Sequence, residues 1–252
     1  MTDTTKGFAA MIAACCIWGL SSIFYKLLSH VPAAEVLAHR TLWSLVFFII
    51  VLTVQRRLRA VFDAMAGPRA FGLLAFAALV IATNWYLFIS AVQSGQATEA
   101  ALGYYIFPLV SVLLGRLVFG ERLSPVQLFS VGLVTVAVSF LTYGLGTAPW
   151  LALALAASFG LYGLAKKRLA VGPVVSVTAE VLLLSPLAVL VLWQTGDNGA
   201  GAFGASFRDT ALLMLSGPIT ATPLILFSYA ARRLSMATAG LLSYINPTLQ
   251  FF

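Results

Sequence analysis

Charged residues are scarce in this sequence. Only 9% of the residues are Asp, Glu, Lys or Arg, whereas 61% are apolar, and the mean hydropathy is +0.98. A water-soluble domain needs a larger charged and polar share to cover its surface. The composition therefore excludes an ordinary soluble protein and predicts an integral membrane protein.

Residues that build enzyme and metal sites are also scarce. The chain has two histidines and two adjacent cysteines, Cys15 and Cys16, which lie too close along the chain for an ordinary disulfide. It has no His-Glu-x-x-His sequence for zinc and no glycine-rich phosphate loop that ends in Lys-Ser or Lys-Thr. We therefore expect no enzyme activity, no cofactor and no metal.

The basic residues do not form a nucleic-acid-binding patch. The net charge is +7 and the pI is about 9.7, but the bases lie in short segments between apolar runs. Lys and Arg in short loops stay on the cytoplasmic side of a membrane, so we place the N-terminus there. The outer loops then hold only Arg208. The inner segments hold Lys6, Arg56, Arg57, Arg59, Arg69, Arg116, Arg122, Lys166, Lys167, Arg168, Arg232 and Arg233.

The apolar runs predict an all-α polytopic membrane protein. Nine of them are long enough to span a bilayer as helices, because about 20 apolar residues are needed. Only helices satisfy the backbone in lipid with such short connections, and the runs lack the alternation of a barrel. The spans cover about residues 8–28, 35–54, 71–92, 97–118, 125–143, 149–166, 174–193, 210–231 and 235 onward.

One stretch of the chain occurs twice. The residues from Ala82 to Pro108 recur, with Ala-Thr, Leu-Phe and Tyr-Ile-x-Pro at the same spacing, from Ala221 to Pro247. Long internal repeats indicate a duplicated architecture. We assign residues 7–143 to a first repeat of five helices and residues 149–252 to a second repeat with four. The repeat therefore predicts a tenth helix beyond Phe252.

A five-helix repeat crosses the membrane an odd number of times, so the second copy should be inverted. Inverted repeats place a binding site near the midplane, where the two copies meet. They favour a transporter, although channels contain them too.

The sequence also resembles a known family. Residues 28–44 and 84–125 are similar to the RarD-type branch of the EamA family, in the drug/metabolite transporter superfamily. The resemblance implies a ten-helix secondary carrier of the inner membrane for small metabolites or drugs. Phe107 departs from the Asn that the family commonly has before the proline, whereas the second copy keeps Asn246-Pro247. The matching residues are His30-Val31-Pro32, Glu35, His39-Arg40, Trp43, Asn84-Trp85, Glu99-Ala100, Gly103-Tyr104 and Gly120-Glu121-Arg122-Leu123.

Charged residues in or beside the spans are the first candidates for a transport path. Arg40 either lines an aqueous path or snorkels to the interface, and Glu35 and His39 are expected near the outer headgroups. Glu180 lies about two turns inside its span, so it needs a partner or a proton. It is a candidate for coupling or substrate contact, or for a structural ion pair with Arg40 or another base.

Two repeated prolines provide the second set of candidates. Pro108 and Pro247 have no N–H, so each should kink its helix and free the carbonyl of Tyr104 or Ser243. Nearby aromatic and amide side chains are candidates to bind substrate, although aromatic residues also populate the membrane interfaces. The pathway candidates are Arg40, Asn84, Trp85, Tyr104, Tyr105, Tyr162, Glu180, Tyr244 and Asn246.

The sequence thus predicts an inner-membrane secondary transporter that moves a small metabolite or drug-like molecule by alternating access. Its partners are a small-molecule substrate and the lipid bilayer, and transport is coupled to protons or to exchange. The alternatives are a channel or lipid-flipping subunit, and a membrane scaffold that does not transport.

Overall fold

The protein is described here from a computed structural model, which covers residues 3–145, 150–197 and 201–250. Every regular element within these ranges is a helix, which confirms the predicted all-α class. The helices are α1 Asp3–Lys26, α2 Ala33–Val54, α3 Arg59–Met65, α4 Pro68–Gln93, α5 Ala97–Phe119, α6 Pro125–Leu145, α7 Trp150–Arg168, α8 Pro173–Asp197, α9 Phe207–Ala231, α10 Met236–Leu242 and α11 Ile245–Gln250.

Seven of the described helices are long and apolar enough to cross a membrane by length and composition: α1, α2, α4, α5, α6, α8 and α9. The predicted span at 149–166 corresponds to α7, whose last turn carries three bases. The chain is therefore a multi-pass membrane protein.

The predicted span from residue 235 is not one continuous helix. It is divided into α10 and α11 by a turn at Ser243 and Tyr244. The Ser243 carbonyl was predicted to be unpaired, but it accepts a hydrogen bond from the main-chain N–H of Asn246 at 3.1 Å. Pro247 therefore lies in the first turn of a new helix, where its missing N–H is tolerated. Pro108, in contrast, lies inside the continuous α5.

The packing of the helices follows the two predicted repeats. In these repeats α1 corresponds to α7, α2 to α8, α4 to α9, and α5 to α10 and α11 together. α1 packs on α9 as α7 packs on α4, and α2 packs on α9 as α8 packs on α4. Likewise α5 packs on α7 as α11 packs on α1, while α2 packs on α8 and α5 on α10. This is the contact pattern that a two-fold repeat produces. It is consistent with the proposed repeats, whose boundaries stay a prediction.

Small residues allow the helices to approach closely, as is common in membrane bundles. A Cβ on Gly103 of α5 would lie 2.9 Å from the Ala152 carbonyl oxygen of α7. A Cβ on Gly217 of α9 would collide with the main-chain carbonyl carbon of Trp43 in α2. These contacts position α2, α5, α7 and α9 around a central cavity.

Candidate functional site

A cavity lies between helices that belong to both predicted repeats. The space open to the centre of a water molecule is about 40 Å³. Such a volume holds roughly three or four waters. The cavity is therefore narrow. Its lining consists of Trp18, Ser21, Tyr25, Arg40, Asn84, Trp85, Phe88, Tyr104, Phe159, Ile219, Thr220 and Asn246.

Arg40 supplies the only formal charge in this lining. Its side chain is buried, with 4% of its surface exposed, and does not snorkel to the interface. The guanidinium carbon lies 4.1 Å from the ring centroid of Trp85 and 5.3 Å from that of Tyr25. The Nε atom has no hydrogen-bond partner among the described residues. Arg40 is thus held by aromatic faces, which offset only part of the cost of burying its charge.

Asn84 and Tyr104 form a fixed polar wall of the cavity. The Asn84 amide nitrogen donates to the Leu155 carbonyl and to the Ser158 hydroxyl, each at 3.0 Å. Its amide oxygen accepts from the Tyr104 hydroxyl at 3.4 Å. These bonds join α4, α5 and α7, and they fix the orientation of the Asn84 amide.

Five of the predicted pathway residues therefore converge on one cavity. They are Arg40, Asn84, Trp85, Tyr104 and Asn246. The sequence missed the contribution of α1, where Trp18, Ser21 and Tyr25 face the cavity. Their spacing of three and four residues is the available sequence signal, because it places all three on one helix face. Phe159 and Thr220 also line the cavity, but no spacing pattern in the sequence indicates them.

Glu180 lies in a separate polar cluster and does not pair with Arg40. Its Oε1 atom lies 2.5 Å from Nζ of Lys166, and its Oε2 accepts from the Tyr162 hydroxyl at 3.1 Å. Nζ of Lys166 also donates to the Ser176 hydroxyl at 2.6 Å. Both members of the ion pair are 2% exposed. The geometry matches the structural alternative, an ion pair with another base.

Tyr105 and Tyr244 also lie outside the cavity lining. Their rings stack on each other with centroids 6.2 Å apart and an interplanar angle of 29°. This contact joins α5 to the turn between α10 and α11. The two repeated tyrosines are therefore neighbours, as their sequence positions suggested, but they contact each other instead of the cavity.

At the cytoplasmic end, in the predicted orientation, Glu121 links several segments of the chain. Its Oε1 atom accepts from Nζ of Lys167 at 2.6 Å and from the Met236 amide at 3.0 Å, and Oε2 accepts from the Ala237 amide at 3.3 Å. Burial raises the pKa of the Glu121 carboxyl, but these hydrogen bonds and the Lys167 charge outweigh burial and hold its pKa below the usual value of 4.5. Glu121 thus links the segment that follows α5 to α7 and α10.

At the opposite end, the segment before α9 packs on the first turns of α2. Oε1 of Glu35 accepts from the Ala202 amide at 2.7 Å and lies 3.9 Å from Nε2 of His39. The His39 ring stacks on Phe203 with centroids 4.8 Å apart. This segment covers and buries both Glu35 and His39, and their expected position near the outer headgroups stays a prediction. Glu99 makes a similar contact, since its Oε1 accepts from the Leu151 amide at 3.2 Å.

Comparisons with known proteins agree with this architecture. Residues 5–143 match the EamA-like transporter family. Over 250 residues the chain is 39% identical to Protein RarD of Salmonella typhi, covering 99% of this chain and 85% of the relative. It is 44% identical over 237 residues to Protein RarD of Streptomyces exfoliatus, covering 93% and 75% respectively. An uncharacterized transporter of Vibrio cholerae is 38% identical over 250 residues, covering 99% and 83%. The chain therefore belongs to the EamA-like transporter family, in its RarD-type branch.

Proposed function

We infer that this protein is a secondary transporter of the inner membrane, which moves a small metabolite or drug-like molecule by alternating access between two inverted repeats. The observation that carries the proposal is the central cavity, which is lined from both predicted repeats. We interpret the contacts of Glu121 at one end, and those of Glu35 and Glu99 at the other, as its closures. Its substrate residues are Arg40, Asn84, Trp85, Tyr104 and Asn246. Inverted-repeat carriers bind their substrates at such a position.

Each closed end consists of contacts between the predicted repeats. At one end Glu121 of the first repeat binds Lys167 and Met236 of the second. At the other end Glu35 binds Ala202, and Glu99 binds Leu151. A rocking movement of one repeat against the other would break the contacts at one end and keep those at the other. This arrangement supports a carrier over an open pore.

The orientation follows from the basic residues. Arg57, Lys167 and Arg233 lie on the side that we assign to the cytoplasm, together with the N-terminus. With this orientation, Glu121 closes the inner end of the cavity and Glu35 the outer end.

The proposal is tested by flux in vesicles that contain the purified protein. A thermal-shift screen of metabolites and drugs selects a stabilising compound, which is then radiolabelled. We expect saturable uptake that is accelerated by unlabelled compound inside the vesicle, which distinguishes a carrier from a channel or a scaffold. The same assay with an imposed pH gradient separates proton coupling from exchange. Flux without saturation and without acceleration would contradict a carrier, and absence of flux would contradict transport.

A further inference from the structure

We propose that the central cavity binds an organic carboxylate, whose anionic group pairs with the guanidinium of Arg40. This inference rests on the proposed function only in taking the cavity as the substrate site. It specifies the chemical class of the substrate: a monoanion with an aromatic or apolar body.

The first observation is that the charge of Arg40 has no acidic partner among the residues that the structure describes. An arginine stays protonated under all ordinary conditions, so burial cannot neutralise it. A buried charge is normally paired with an opposite charge or faces a cavity where its ligand binds. In the part of the chain that the structure describes, no carboxylate oxygen lies within 4.0 Å of an Arg40 nitrogen. The two aromatic rings that flank the guanidinium carry no formal charge.

The acidic residues of the chain are accounted for elsewhere. The sequence has eight of them. Asp63 lies on α3, and Asp197 is the last residue of α8. The others bind bases, hydroxyls or main-chain amides away from Arg40: Asp3, Glu35, Glu99, Glu121, Glu180 and Asp209. Among the described residues no acid completes this site, which supports a bound anion as the partner of Arg40.

The second observation is a comparison between the two predicted repeats. Arg40 lies seven residues after the first residue of α2, and Glu180 lies seven residues after the first residue of α8. At the Glu180 position the preceding helix supplies Lys166, so the buried charge is neutralised within the protein. At the Arg40 position the preceding helix supplies Tyr25, which carries no formal charge. One repeat thus contains a complete ion pair, and the other contains only its cation.

The rest of the lining indicates what the anion is attached to. Trp18, Phe88 and Phe159 provide aromatic walls, while Asn84 and Thr220 provide neutral polar groups. A single arginine matches the charge of one carboxylate, which its planar group binds through two parallel hydrogen bonds. A phosphate dianion would require a second cation, and the lining has none. The aromatic walls favour an organic body over a hydrated inorganic ion. The cavity holds only a few waters in the described state, so such a ligand would bind when the helices move apart.

The test compares acids with amides of nearly the same shape. Benzoate and benzamide, phenylacetate and phenylacetamide, and indole-3-propionate and its amide are titrated by calorimetry into the purified full chain. We expect the acid to bind at least tenfold more tightly than its amide in at least one pair. Arg40→Gln should reduce that preference to less than twofold, and Arg40→Lys should leave an intermediate preference. Lys6→Gln, at an exposed position, is the matched control and should retain the full preference.

Three results would overturn the proposal: no acid binds the wild-type protein, an amide binds as tightly as its acid in every pair, or Arg40→Gln retains the preference. Competition by chloride at equal concentration would indicate an inorganic-anion site and would also overturn it.

The melting temperature of the ligand-free protein provides a second test. Arg40→Gln should not lower the melting temperature, because the charge that it removes is unpaired, whereas Lys166→Gln should lower it. A larger loss for Arg40→Gln than for Lys166→Gln would assign Arg40 a structural role and contradict the proposal.

The two proposals fail in different ways. Acid-specific binding that depends on Arg40, without flux in vesicles, would refute transport alone. Accelerated exchange of a neutral compound that is unaffected by Arg40→Gln would refute the carboxylate site alone.

Discussion

The ammonium nitrogen of Lys166 lies 2.5 Å from Oε1 of Glu180, and both side chains are almost completely buried. Tyr162 and Ser176 supply further hydrogen bonds to this pair. Glu180 was a candidate for coupling in the sequence analysis. In the structure its charge is paired with that of Lys166, in an ion pair that joins α8 to α7. These contacts fit a structural ion pair, and among the described residues Arg40 is left as a buried cation without an acid within 4.0 Å.

Breaking this pair should destabilise the protein. Lys166→Met leaves the Glu180 carboxylate buried without its cation, which costs about 3–5 kcal/mol in the free energy of unfolding. The double variant Lys166→Met, Glu180→Leu should recover most of that loss, because no unpaired charge remains. Denaturant unfolding in detergent measures both. The exposed Lys6→Met is the control and should change stability by less than about 0.5 kcal/mol. Equal losses in the single and double variants would show that the pair is not the cause.

Close packing at Gly217 gives a second prediction. An added methyl group would meet the main chain of Trp43, so Gly217→Ala should push α9 away from α2 and lower stability by about 1–3 kcal/mol. Gly72 is the matched control, since it is also helical but has no atom within 4 Å of its Cβ position. Gly72→Ala should raise stability by about 0.5–1 kcal/mol. Thermal unfolding of the two variants measures whether Gly217→Ala lowers stability while Gly72→Ala raises it.

The contacts of Glu121 predict a pH dependence. Its pKa is lowered in the folded protein, so its contribution to stability is present above the usual value of 4.5 and is lost as the pH falls through the lowered pKa. Glu121→Gln should therefore be less stable than the wild type at neutral pH, and the difference should shrink as the solution is acidified below pH 4.5. Melting curves across this pH range measure the difference. A difference independent of pH would exclude ionisation of Glu121 as its source.

Topology can be checked with single cysteines in a protein whose Cys15 and Cys16 are replaced by alanine. Arg57→Cys lies in an exposed segment on the predicted cytoplasmic side, and Ala205→Cys in an exposed segment on the opposite side. An impermeant maleimide added to intact cells should label Ala205→Cys and leave Arg57→Cys unlabelled. The reverse pattern would invert the orientation.

Much of this architecture was predictable because each membrane-spanning helix requires a long apolar run, which is visible in the sequence. Apolar runs located the helices, and charged, amide and aromatic side chains within them identified Arg40, Asn84 and Trp85, which line one cavity. Contacts between helices were not predictable in the same way, since they depend on the rotation and depth of each helix. Lys166 was therefore assigned to a loop-side basic cluster and not to Glu180, and α10 and α11 were taken as a single span.

Alternate opening of the two closed ends is the central claim, and labelling of Ser21→Cys in the cavity tests it most directly. The measurement is the rate of reaction with an impermeant maleimide from each side, in right-side-out and inside-out vesicles that lack the native cysteines. Glu121→Lys places a second cation beside Lys167 and should open the inner end. We predict faster labelling from the cytoplasmic side and slower labelling from the outside, whereas the control Lys6→Gln changes neither. Rates that rise together on both sides would indicate a pore, and rates that change on neither side would contradict alternating access.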